Sequence, residues 1–291
     1  MNYRKLRFSI VIPCYNEEQL IGRTLSSLQA LDFTGKYEII VVDNNCTDDT
    51  VKIASSYGVR IVHESHPGVC WARQAGTQAA HGEIVVSTDA DTIQPKNWLR
   101  SIDNIFQQDK KLVAVTGPCQ YSDGPWWGRQ YPKILFGAVS VLTRIFGRPF
   151  YVTATNIAFK KSAWEQYHTE MTQGGDELGL LHDLKKKGRV AFNNANPVYT
   201  SGRRLEKGLI YNIFVSFLLY YLIAYNVNQF FGRTVIGTYP AFRSSITAKY
   251  RWSVLPKYAA IIFIVAIVHM PGHDTLLEQS YETIGEVEHT L

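Results

Sequence analysis

Short apolar runs alternate with amphipathic stretches over residues 8 to 117. Phe8-Ser9-Ile10-Val11-Ile12 reads as a buried strand closed by Pro13. Leu20, Ile21, Leu25 and Leu28 then share one face of a helix from about Glu17 to Leu31. Glu38 to Val42 is the next strand. Thr47-Asp48-Asp49-Thr50 opens a helix, with Thr47 placed to cap its free amides and the aspartates suited to its positive end. Gly58 ends that helix. A strand at Val59 to Val62, a helix from about Gly68 to Ala80, a strand at Glu83 to Thr88, a helix from near Pro95 and a strand at Lys111 to Gly117 follow. This order predicts an α/β domain with a mostly parallel sheet covered on both faces.

Past Gly117 the pattern changes. Residues 120 to 150 read as aromatic and loop-rich, with Trp126, Trp127, Tyr131 and Phe136. Tyr151 to Phe159 predicts a further strand, and Asp176 to Lys187 a helix ended by Gly188. From Leu209 the chain turns apolar. Ile213 to Tyr225 is almost wholly so, within a segment reaching Phe231, and a second stretch runs from Tyr258 to Met270. Both are short for the roughly 20 apolar residues of a membrane span.

The connecting stretch 232 to 257 carries Arg233, Arg243, Lys249, Arg251 and Lys257 and no acidic residue. Two crossings would put it outside, against the positive-inside tendency. The expectation is a first segment lying in or re-entering the interface and a second that spans at most once. The catalytic part would then work at the cytoplasmic face of the cell membrane. Buried core helices are the alternative reading. The predicted division is a domain at 1–205 and a membrane-associated apolar helical region at 206–291.

The chain has 291 residues, 46% of them hydrophobic, 19% charged, and a net charge of +5. That excess suits an anionic substrate or lipid. The basic residues are scattered and no reader motif is present, which argues against nucleic acid as a partner. Cys14, Cys46, Cys70 and Cys119 form no C-x-x-C pair and are expected to be reduced thiols. The apolar run after the basic start is only Phe8 to Ile12, too short for a secretory signal.

Candidate chemistry begins at Asp89-Ala90-Asp91, directly after an apolar run, with Asp43 at the end of another. In open parallel sheets the strand carboxyl ends border the ligand crevice. Carboxylates gathered there repel unless a cation or donors offset them. On an extended strand end Asp89 and Asp91 share a face. Their oxygens suit Mg²⁺ or Mn²⁺, which fill their shell with water and phosphate oxygens. Asp43 reads equally as a turn carboxylate or as an acceptor for nucleotide donors. Pro13-Cys14-Tyr15-Asn16-Glu17-Glu18 occupies the place of a Gly-rich phosphate loop, against a nicotinamide enzyme.

These blocks resemble family-2 glycosyltransferases. Ser9 to Glu18 is similar to their opening motif and Val41 to Thr50 to their second, with Asn44 and Cys46 departing from the usual aspartate pair, small residue and serine. Gly68-Val69-Cys70-Trp71-Ala72-Arg73-Gln74-Ala75-Gly76 resembles the third block and Thr88 to Thr92 the metal motif. The resemblance weakens but continues to about residue 205. It implies a GT-A fold, a Rossmann-like sheet flanked by helices, a nucleotide-diphosphate sugar donor and inversion at the anomeric carbon. It also implies that Pro13, Tyr15, Glu17 and Asp43 line the nucleoside pocket. Arg73 would approach base or phosphates, Asp89 ribose or metal, and Asp91 the metal. A solvated helix charge is the plain alternative for Arg73.

The family's catalytic base usually belongs to an acidic pair at the head of a helix. Its counterpart here is Asp176-Glu177: spacing to Gly188 favours Glu177, residue type favours Asp176, and both also suit a helix N-terminus. Thr155-Asn156-Ile157 resembles a block near the acceptor, with Ala154 and Thr155 replacing its usual glycines. Trp126 and Trp127 read as stacking residues for a sugar or lipid, or as packing. No Q-x-x-R-W signature precedes Trp252, so one transfer is expected rather than polymerisation. The implied acceptor is a lipid-linked or membrane-proximal glycan. A sugar nucleotidylyltransferase, or an inactive transferase-like membrane subunit, are the competing functions.

Overall fold

The computed structural model describes residues 6–170, 175–231 and 235–236. They fall in one compact unit, Met1–Ser244. The order along the chain is β1 (Phe8–Cys14), α1 (Ile21–Gln29), β2 (Tyr37–Asp43), α2 (Thr50–Ser56), β3 (Arg60–His63), α3 (Val69–Ala79), β4 (Ile84–Ser87) and β5 (Thr92–Ile93). It continues with α4 (Trp98–Gln108), β6 (Leu112–Thr116), β7 (Cys119–Tyr121), α5 (Trp126–Phe146), β8 (Ile157–Lys160), α6 (Leu180–Lys187), β9 (Arg189–Phe192) and β10 (Val198–Thr200).

The main sheet has seven strands in the order β3-β2-β1-β4-β8-β6-β9. All its pairings are parallel except those of β8, which runs antiparallel to β4 and β6. β1 and β4 are buried on both faces, which explains their mainly apolar sequence. α1 and α4 cover one face. The α4 side chains Trp98, Leu99, Ile102 and Phe106 are at most 2% exposed, each contributing about 1.5–3 kcal/mol by burial. α3 covers the other face so closely that a β-carbon at Gly76 would lie 2.8 Å from Val42 Cγ2 and overlap Val11. A second sheet, β5-β10-β7, has three strands.

Four sequence expectations change. Residues 126–146 form a 21-residue helix, α5, rather than loop. Tyr151 to Phe159 is not one strand: a 3₁₀ turn at Ala154–Asn156 precedes β8. Thr47 does not cap α2: Asp49 stands at the N-cap without a side-chain bond, Asp48 Oδ1 accepts from the Thr50 amide at 3.0 Å, and the Thr47 hydroxyl accepts from Asn16 Nδ2 at 3.1 Å. Asp89 and Asp91 do not alternate on a strand, because β4 ends at Ser87 and the carboxylates sit in the turn that follows.

The first apolar segment is helical: α at Leu209–Tyr211, π over Asn212–Ala224 and α again at Tyr225–Phe231. Among the described residues no helix is long and apolar enough to cross a membrane. The expected second segment, Tyr258 to Met270, lies outside the described residues, as does the basic stretch before it.

Candidate active site at the carboxyl edge of the sheet

The loops after β1, β2 and β4 leave the sheet on the same side, because these strands are parallel. Each loop is pinned by its own side chains. Asn16 and Asn45 adopt left-handed backbone, φ 54° and 67°, a conformation asparagine tolerates better than most residues. Asn16 Oδ1 accepts from the Thr47 amide at 2.7 Å, tying the first loop to the second. Asn44 donates to the carbonyls of Glu64 and His66 and accepts from the Gly68 amide at 2.8 Å. Its departure from the family pattern therefore fixes the start of α3.

Asp43 closes β2. It accepts from the Cys46 amide at 2.8 Å and contacts His63 Nδ1 at 2.9 Å. Burial raises its pKa, but the Cys46 and His63 bonds outweigh that and hold the carboxyl below its ordinary value. Pro13 lies in β1, Tyr15 is 42% exposed just beyond, and Glu17 is half-buried in the same loop.

The turn after β4 carries the two central carboxylates. Thr24 Oγ1 donates to the Ala90 carbonyl at 2.7 Å and fixes the turn from α1. Arg73, on α3 and 3% exposed, donates to Ser87 Oγ at 3.1 Å and to Asp89 Oδ1 at 2.6 Å. It is a buried partner of the site rather than a solvated charge. Thr155 donates to the other Asp89 oxygen at 2.5 Å. The threonine that replaces a family glycine thus supplies a hydroxyl.

Asp91 accepts from Thr200 Oγ1 at 2.9 Å and lies 3.1 Å from Arg203 Nη2. The same guanidinium forks onto Glu17 at 2.8 and 2.5 Å. Burial first, then the charge of Asp89, pushes the Asp91 carboxyl above its ordinary value, against the opposing pull of Arg203 and Thr200. The sequence reading missed both Arg203 and Thr200. The available signal was the basic pair Arg203-Arg204 just past Tyr199-Thr200-Ser201-Gly202, inside the stretch of family resemblance.

The remaining candidates divide. Asn156 is 2% exposed, and its side chain bonds Trp98 Nε1 and the carbonyls of Pro118 and Asn196, so its polar atoms are committed to the fold. Trp126, 73% exposed, and the half-buried Trp127 head α5. Asp176 and Glu177 lie in a single π-helical turn, Gly175–Gly179, which leads into α6 and packs against α3. All four cysteines are free.

The sequence profile described as glycosyl transferase family 2 matches residues 9–167. An uncharacterized glycosyltransferase of Mycobacterium tuberculosis is 36% identical over 124 residues, 42% of this chain and 54% of that protein. The Staphylococcus aureus poly(ribitol-phosphate) β-N-acetylglucosaminyltransferase TarS is 30% identical over 214 residues, 68% of this chain and 36% of that protein. The chain spans about half the length, or less, of these curated relatives. The crystal structure of TarS 1–349 with UDP-GlcNAc matches this fold with a TM-score of 0.57 at 20% identity, covering 67% of this chain and 58% of that one. Glucosyl-3-phosphoglycerate synthase from M. tuberculosis, solved with Mn²⁺, UDP and glucosyl-3-phosphoglycerate, gives 0.51 at 23% identity, covering 69% and 74%.

Proposed function

The chain belongs to glycosyl transferase family 2, and we propose that it moves one sugar, with inversion, from a nucleotide-diphosphate donor to a hydroxyl of a lipid-linked or membrane-proximal glycan at the cytoplasmic face of a membrane. The observation that carries this reading is the carboxylate turn after β4, where Asp89 and Asp91 are each held by one arginine and one threonine. TarS binds UDP-GlcNAc and the mycobacterial synthase binds UDP with Mn²⁺, on the same fold.

Mg²⁺ or Mn²⁺ fits this donor set. Asp91 offers hard carboxylate oxygens, and Asp89 beside it adds to the negative field. Among the described residues no three His, Cys, Asp or Glu side chains group into a complete metal site. Mg²⁺ is commonly bound by one or two carboxylates and completes its shell with water and phosphate oxygens. When bound, such a cation would neutralise charge on the departing diphosphate.

The other roles belong to the protein. Asp43, Tyr15 and Pro13 border the loops where the nucleoside would sit. Arg73 and Thr155 fix Asp89, and Thr200 and Arg203 fix Asp91. Asp176 or Glu177 would take the proton from the acceptor hydroxyl as its oxygen bonds the anomeric carbon and the bond to the diphosphate breaks. Trp126 and Trp127 would serve the acceptor.

A thermal-shift screen of nucleoside diphosphates, each with and without Mn²⁺, tests the donor reading, since a ligand of the folded state raises stability. At least one diphosphate should stabilise the protein only with metal, and Asp91→Asn should abolish the effect. Stabilisation by none would remove the assignment. Asp176→Asn and Glu177→Gln test the base: one should lose transfer by about 10²–10⁴-fold, and full activity in both would reject the pair.

A further inference from the structure

The helix α5 has two unlike sides. Gly128, Pro132, Phe136 and Val139 are buried. Phe136 stacks on Phe192 of β9 at 6.2 Å, Tyr131 reaches Tyr121 of β7 at 3.0 Å, and a β-carbon at Gly128 would overlap Leu205. The roughly opposite side is apolar and open. Ile134, Val141 and Ile145 are 73%, 55% and 66% exposed, and with the exposed Ala138 they recur at i, i+4, i+7 and i+11, one stripe along the helix. Near the two ends of the helix Trp126, Phe146 and Phe150 are also exposed, at 73%, 68% and 49%. Apolar surface of this extent on a folded chain marks an interaction site.

Charge selects the partner. Arg129, Lys133, Arg144 and Arg148 are exposed on α5 and the turn after it, and residues 125–150 contain no Asp or Glu. Lys185 of α6 adds a further basic group that feels the charge of Arg148; burial first, and then Arg148, lowers its pKa. A protein partner of ordinary composition does not require a basic row beside an apolar stripe and an exposed terminal Trp. An anionic lipid surface requires both.

We propose that α5 docks the enzyme on an anionic lipid bilayer, its apolar stripe at the headgroup boundary and its basic row on the lipid phosphates. The placement has a consequence for the site. α5 packs on β7, β7 pairs with β10, and β10 supplies Thr200 to Asp91. Docking through α5 brings the carboxylate turn beside the membrane, where a lipid-linked acceptor is presented. This deepens the proposed function by naming the surface on which transfer occurs, and its test is read independently of nucleotide binding.

The test uses the full chain and co-sedimentation with vesicles of phosphatidylcholine alone or mixed with phosphatidylglycerol, at low and high salt. The wild type should bind the mixed vesicles, with binding weakened by salt. The charge variant R129Q/K133Q/R144Q/R148Q should lose on the order of a hundredfold in affinity for the mixed vesicles. The apolar variant I134S/V141S/I145S should also lose binding to the mixed vesicles. All seven positions are solvent-exposed, so melting temperatures should stay near wild type, and the two variants act on separate features. Failure of the wild type to bind, or equal binding by wild type and both variants, overturns the proposal. So does self-association that buries the stripe in place of vesicle binding.

Discussion

Arg203 holds its guanidinium 3.1 Å from the Asp91 carboxylate. The same group pairs with Glu17, whose side chain, like that of Asp91, is 13% exposed. One cation therefore satisfies two nearly buried anions from different loops. It also stands where a dication bound to Asp91 would compete for the same oxygens.

Arg203→Ala should destabilise the protein by about 2–4 kcal/mol, because two poorly solvated carboxylates lose their shared cation. Mn²⁺ should then restore more stability in the variant than in the wild type. Urea unfolding with and without Mn²⁺ measures both effects. An equal response to metal in the two proteins would mean that Arg203 and the metal do not share Asp91.

Much of this site was legible in the sequence, and the reasons for the remainder are physical. β1 and β4 are buried on both faces, so their apolar runs could only be strands, and the carboxylates beyond them had to lie at the sheet edge. Arg203 and Thr200 were missed because their partner is remote: the basic pair Arg203-Arg204 is visible in the sequence, but Thr200 bonds an aspartate 109 residues earlier in the chain. α5 was misread because Gly128, Pro132 and Gly137 are turn residues by propensity. In the fold Gly128 serves close packing against Leu205, and packing of the buried side outweighs the hydrogen bond that Pro132 cannot make.

Asp91 predicts a pH dependence of stability. Its folded pKa is raised, by burial first and Asp89 second. Between the ordinary carboxylate value and that raised value the folded state binds more protons than the unfolded one, so this group's contribution to stability falls as pH rises. Metal-free wild type should therefore lose ground to Asp91→Asn as pH increases through that window and run parallel to it above. Denaturant titrations of both proteins across pH, in chelator, check the sign. A wild type that gains on the variant as pH rises would contradict the raised value.

Gly76 predicts a packing effect transmitted to the site. A methyl group there would overlap Val11 and lie 2.8 Å from Val42 Cγ2. Gly76→Ala should cost about 1–3 kcal/mol as α3 is pushed off β1 and β2. Because Arg73 rides on α3, metal-dependent nucleotide affinity should fall as well. Urea unfolding and the nucleotide thermal shift measure the two effects, and a neutral substitution would mean the helix can move outward freely.

Arg73 separates charge from geometry. It sits 3% exposed between Ser87 Oγ and Asp89 Oδ1. Lysine keeps the positive charge but presents one compact ammonium, which cannot reproduce the directed pair of bonds from a planar guanidinium. If Arg73 only neutralises Asp89, Arg73→Lys should transfer sugar at close to the wild-type rate. If it aims the carboxylate, the variant should stay folded yet lose about 10–100-fold in kcat/KM, equivalent to about 1.4–2.7 kcal/mol of transition-state stabilisation. The two hydrogen bonds favour aiming. The deciding measurement is kcat/KM for Arg73→Lys beside Arg73→Met, which removes charge and bonds together. Lysine should fall clearly below wild type and remain above methionine.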